Sequence, residues 1–149
     1  MIANKHLMAI ALGACLLGLS SLSSQKNPVE RALKGNLDGT GVFTVDGGGN
    51  IVSYEGVGEG HLTHLGRFTT HADGLPDQSG VLVLEGVFKA ANGDEVCWEM
   101  SDPVVGVITG GTGRFTGATG GFITVEPEIV WIDPVTIAIS HQIEGTITY

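Results

Sequence analysis

The sequence predicts an all-β fold, a small antiparallel eight-stranded β-barrel, and three observations carry that prediction. Runs rich in Val, Ile, Thr and aromatic residues follow one another with no apolar stripe at helical spacing. Turn signals separate these runs at short intervals, as at Asp46-Gly47-Gly48-Gly49-Asn50 and Ala91-Asn92-Gly93-Asp94. The stretch Gly110 to Gly121 holds six glycines in twelve residues, the density found where strands bend, bulge or pack closely.

Residues 1–24 read as a signal peptide: Lys5 and His6 form a short basic start, Leu7 to Leu19 is an apolar run, and Ser21-Leu22-Ser23 supplies small residues for cleavage. Export to the periplasm or the medium follows. Leu12-Gly13-Ala14-Cys15 also resembles a lipobox, so a lipoprotein anchored at Cys15 is the alternative; the apolar run continuing through Leu16, Leu17 and Leu19 favours plain export. The run falls short of the roughly 20 apolar residues of a membrane span, and no later segment approaches that length.

Residues 25–34 form a polar lead-in, and residues 35–149 a single β-barrel domain. Strands are expected at 36–45, 51–59, 60–71, 79–91, 94–101, 104–109, 120–126 and 135–148, a number that suits a closed barrel without an exposed edge. Without residues 1–24 the chain carries a formal charge of −10, which disfavours nucleic acid and anionic membrane surfaces. It also leaves Cys97 as the sole cysteine, with no internal disulfide.

Gly-x-Phe occurs four times, at Gly41-Val42-Phe43, Gly66-Arg67-Phe68, Gly86-Val87-Phe88 and Gly113-Arg114-Phe115. The echo places four Phe on similar strands with their rings in one core and a glycine beside each. Period-two alternation then sends Leu82, Leu84, Phe88 and Ala90 inward, followed by Val96, Trp98 and Met100, and finally Ile137, Ile139, Ile143 and Ile147 with an irregularity near His141. Val81, Val83 and Val87 would form an outer apolar stripe, which predicts a homo-oligomer or a covering segment.

Val107-Ile108-Thr109-Gly110-Gly111-Thr112-Gly113-Arg114-Phe115-Thr116-Gly117-Ala118-Thr119-Gly120 resembles the Thr-Gly-Gly-(Ser/Thr)-Gly-x-Phe-x-Gly-Ala-x-Gly stretch of plant allene oxide cyclases, and a similar Gly-Thr-Gly-x-Phe element marks dirigent proteins. Both share one eight-stranded barrel, often trimeric. Thr63-His64-Leu65-Gly66-Arg67-Phe68-Thr69 and the closing Glu144-Gly145-Thr146-Ile147-Thr148-Tyr149 look more like small exported bacterial proteins with this barrel. The resemblance implies a barrel that holds a hydrophobic molecule; only the glycine-rich element aligns, so no catalytic residue is carried over.

The same element is not a phosphate loop, since Gly111-x-Gly113 is followed by Gly117 one residue late, with no Lys and a strand after it. His61, His64 and His71 form the one histidine cluster. Alternation sends His61 and His64 to opposite faces, and His61 and His71 stand about 30 Å apart along an extended strand, so no metal site is expected. Phe68 parity places His64 inside, where it would orient a ligand or move a proton. The candidate ligand-binding residues are therefore His64, Phe68, Phe88, Trp98 and Met100. Arg67 and Arg114 should point outward into cross-strand ion pairs, and Cys97 should face outward between glutamates. With no nucleophile set, paired carboxylates or cofactor motif, the first expectation is a secreted binding or assembly module without a cofactor, holding a small hydrophobic ligand. The alternative is a cofactor-free cyclase or dirigent-type protein that steers a reactive hydrophobic substrate.

Overall fold

The computed structural model describes residues 27–149. The expected signal peptide, Cys15 and the start of the lead-in lie outside them. Eight strands follow in chain order: β1 (Glu30–Val45), β2 (Ile51–Leu62), β3 (Gly66–Pro76), β4 (Leu82–Ala90), β5 (Glu95–Met100), β6 (Val105–Gly111), β7 (Thr119–Trp131) and β8 (Thr136–Thr148). Each pairs antiparallel with its neighbours, and β1 pairs with β8 from Glu30↔Thr148 to Val42↔Thr136, closing the barrel. The all-β barrel expected from the sequence is therefore present, although β1 begins at Glu30, within the residues read as lead-in.

Inward positions carry both the large side chains and many of the glycines, and the two are matched. A Cβ on Gly86 would run into the indole of Trp98, one on Gly106 into the ring of Phe122, and one on Gly41 or Gly56 into the ring and hydroxyl of Tyr54. A closed barrel of this size has room for rings only if the backbone beside them is bare, which is why the glycines recur at inward positions. Phe68–Phe88, edge to face, and Phe88–Trp98 and Phe88–Phe122, tilted, then pack with ring centroids 5.1, 5.4 and 5.6 Å apart. This spacing is typical of favourable aromatic pairs.

The glycine-rich stretch is not a strand throughout. Its centre, Gly113–Phe115, is a 3-10 turn begun by Gly113 at φ 58°. The fourth copy of Gly-x-Phe thus departs from the expected equivalence, because Phe115 enters the barrel from a turn. It is fully buried, packs on Tyr149 at 4.9 Å, and with Ala118 plugs the end of the barrel where β1 begins and β8 ends, here called the base. Arg114 does make an ion pair, with Asp94 at 3.5 Å, but the pair joins the 3-10 turn to the β4–β5 loop rather than two strands as expected.

Two expectations hold for register but not for exposure. The outer stripe is partly covered: Val83 and Val87 are half-buried, and only Val81 is exposed. Cys97 is 5% exposed, and it is not a free thiol. β5 keeps its alternation, with Cys97 opposite the outward Val87, and the register shift at Cys97/Trp98 falls on β6, where Thr109 is the extra residue; Cys97 is buried on the outer side of the strand while Val96 and Trp98 are buried inside.

Candidate functional site

The end opposite the base is a mouth, formed by the loops joining β1–β2, β3–β4, β5–β6 and β7–β8. Each loop has, as its first or second residue, an aspartate whose Oδ1 accepts backbone N–H groups. Asp46 takes those of Gly48 and Asn50 (2.8 and 2.9 Å), and Asp77 those of Ser79 and Val81 (2.8 and 3.0 Å). Asp102 takes Val104 and Val105 (2.8 and 3.3 Å), and Asp133 takes Val135 (2.9 Å). Bonds of this kind favour the ionised form. The side-chain amide of Asn50 first, then backbone amides, hold the Asp46 carboxyl below its ordinary range; Ser79 does the same for Asp77, and the amide of Val135 for Asp133.

The wall around the mouth is uneven. β6 pairs with β7 only from Val105↔Ile123 to Ile108↔Gly120, with one further bond from the Thr124 N–H to the Val104 carbonyl (2.9 Å). β4 and β5 pair no further than Leu84↔Met100. Meanwhile β7 and β8 stay paired to Trp131↔Ile137. The short β5–β6 hairpin therefore leaves a notch, flanked by the end of β4 and the upper half of β7. Phe43, Leu82, Leu84 and Ile139 are partly buried on the inner side of this mouth, and Tyr54, Met100 and Ile137 are buried beside them, Tyr54 as the register partner of Phe43 and Met100 as that of Leu84. Phe43 lies 5.1 Å from Tyr54 and 5.7 Å from Trp131 between ring centroids.

Polar groups inside are few, and each is placed by the pleat. Trp98, 6% exposed, has an indole N–H with no acceptor among the described residues. A buried donor left unpaired costs about 1–3 kcal/mol, and such groups in a native interior call for an explanation. Tyr54 is held above the ordinary tyrosine pKa by burial. Thr124 Oγ1 points to the Pro103 carbonyl at 3.4 Å. His141 occupies an inward register position of β8 between Ile139 and Ile143; burial pushes its pKa down, and the nearby Asp38 carboxylate opposes this. Glu126 and Pro127 bulge from β7 opposite it, between Val125↔Gln142 and Glu128↔Ser140.

With this geometry in place, the comparisons are informative about architecture. No protein-family model and no curated protein sequence matches the chain. Solved structures do, among them two pterocarpan synthase dirigent proteins. One, GePTS1, has a TM-score of 0.52 at 13% identity, covering 89% of this chain and 98% of the other. The second, PsPTS1, has a TM-score of 0.54 at 12% identity over 85% and 98%. This chain has the dirigent barrel fold. The resemblance read from the glycine-rich stretch is thereby shown at the level of architecture.

Within the dirigent barrel, four of the five sequence-predicted residues converge: Phe68, Phe88, Trp98 and Met100 share one interior. His64 does not join them. Thr63-His64-Leu65 is a turn at the base, His64 sits there exposed at φ 72°, and its ring faces Tyr149 at 6.4 Å. The turn resets the alternation that had placed His64 inside. His61 and His71 are exposed on the outer wall, and among the described residues no three metal-ligating side chains come together. Sequence reasoning missed Tyr54, Phe122, Thr124 and His141. Tyr54 was signalled by the alternate spacing of Gly56, Gly58, Gly60 and Leu62, and His141 by its parity with the isoleucines of β8. An outer groove of about 310 Å³ is lined by Glu59, Arg67, Thr69 and Lys89, with Lys89 held by Glu95 at 3.1 Å; its mixed charges do not single out one ligand.

Proposed function

We propose that this chain is an exported binding module whose barrel takes one small, apolar, ring-bearing molecule through the mouth. The observation that carries this reading is the Trp98 indole N–H, buried in an aromatic interior without an acceptor. A ligand oxygen brought to that donor would satisfy it, while Phe43, Leu84, Met100 and Ile139 supply apolar surface around the ring. Pockets of this kind are mostly apolar, with a few polar groups that fix orientation. Shape and one hydrogen bond are the whole recognition, and no cofactor enters.

A second reading is favoured by the shared fold with the two pterocarpan synthase dirigent proteins. Here the barrel steers a reactive apolar substrate by holding it in one geometry, which removes orientational entropy from the reaction. His141, kept neutral by burial, would then be the proton acceptor on the inner wall.

Native mass spectrometry of the protein from its own host tests retention of a ligand directly. In vitro, 1-naphthol and 2-acetylnaphthalene are titrated against naphthalene, by quenching of Trp98 in a Trp131→Phe background and by calorimetry wherever Trp98 is itself replaced. The oxygen-bearing probes should bind about tenfold more tightly than naphthalene, and Trp98→Phe should abolish the difference. Absence of both a retained mass and any quenching would remove the binding reading. Stereochemically biased product from a racemising substrate would favour the second.

A further inference from the structure

The barrel closes, yet one strand keeps a free edge. Past Thr124, β7 pairs only with β8, so the opposite edge of residues 125–131 has no ladder partner among the described residues. That edge carries the most exposed apolar run of the molecule: Ile129 at 55%, Val130 at 52%, Trp131 at 59% and, just beyond it, Ile132 at 60%. Soluble proteins ordinarily protect such edges with charge, proline or cover. Here Glu126, Pro127 and Glu128 guard only the lower end.

We infer that this edge pairs antiparallel with the same edge of a second copy, two-fold about Val130. The chemistry of the edge selects a strand, since a row of free N–H and C=O groups is completed by another extended backbone. Its charge pattern selects a second copy. Centring on Val130 sets Glu128 opposite Ile132 and Glu126 opposite Pro134, so no like charges meet. Ile129 then faces Trp131 twice on the inner side, because both follow the parity of their inward partners Ile139 and Ile137. Pro127, which has no N–H to donate, falls outside the paired run 128–132. Each notch would be walled by the other copy's Ile129 and Trp131, so the partner contributes to the mouth. This interface stands independently of what the barrel binds.

Sedimentation velocity on the full chain tests the pairing. The wild type should be a dimer at micromolar concentration. Val130→Lys, which sets two ammonium groups face to face, should raise the dissociation constant at least tenfold. Val57→Lys, equally exposed on the outer wall of β2, should leave the dimer intact. Mixing Val130→Lys with Val130→Glu should restore association. If Val130→Lys does not fold, oxidised Val130→Cys decides, with the expected cross-link joining the two introduced thiols. A monomer at every concentration, a trimer, a dimer indifferent to Val130→Lys, or no such cross-link would overturn the proposal.

Discussion

The indole of Trp98 lies against the backbone of Gly86: a Cβ added at residue 86 would approach Cε2 of the ring to 2.8 Å and the His71 carbonyl oxygen to 2.7 Å. These positions are register partners on β4 and β5, so the contact is fixed by the ladder. It is the clearest case of the rule that builds this interior, a large ring on one strand over a bare backbone on the next.

Gly86→Ala should therefore destabilise the barrel by about 1–3 kcal/mol through overpacking. Thermal unfolding followed by circular dichroism would show a clear drop in Tm, whereas Gly47→Ala, in open space, should move it little. Trp98→Leu in the Gly86→Ala background should recover part of the loss, and the double-mutant cycle would return a favourable coupling. Additive effects would mean that the two residues do not share the strain.

Phe115 makes the complementary prediction at the base. It is fully buried and reaches Tyr149 from the 3-10 turn. Phe115→Ala should cost about 3–5 kcal/mol, much of a typical domain's margin, and Phe115→Leu much less. Urea unfolding would separate the two. Equal, small losses would show that the turn does not close the barrel.

The fold could be read early because inward and outward positions alternate faithfully along β4, β5 and β8, where Phe88, Trp98 and Ile143 fall as period two requires. Reading failed where the backbone resets that period. The turn at His64, with φ 72°, reversed the expected side of one residue, and the bulge at Glu126 and Pro127 hid the upper half of β7. A proline and two glutamates look like the end of a strand. In the fold they are a bulge, after which Ile129 and Trp131 take over the inward parity. The candidate site was partly legible for the same reason: its aromatic side chains obey alternation, whereas the notch depends on strand lengths that no local pattern specifies.

The mouth should loosen in acid. Asp46, Asp77 and Asp133 have folded pKa values below their unfolded ones, so the stability they lend is present above the unfolded value and is lost as pH falls through the folded one. Hydrogen exchange of residues 46–50, 77–81 and 133–136 should accelerate below about pH 4, ahead of the base. A triple Asp→Asn variant keeps an acceptor but cannot titrate, and its loops should exchange at a rate independent of pH once the intrinsic chemistry is divided out. Loops that respond to acid in that variant would show that the carboxylates are not the cause.

His141 carries the last prediction, on the opposite sign of charge. Its folded pKa is lowered by burial, so the unfolded chain binds the proton more readily and stability rises with pH through the unfolded value near 6.5. The contribution is complete above that value and is lost as pH falls below it. Tm should therefore decline from pH 7 to 5 in the wild type, and less steeply in His141→Gln, which carries no proton. An NMR titration of the His141 ring should show a midpoint below ~6.5, with Asp38→Asn lowering it further by removing the opposing carboxylate. A midpoint at or above the ordinary histidine value would place the ring in water rather than on the inner wall of β8, and with it would go the proton-accepting role given to His141 in the substrate-steering reading.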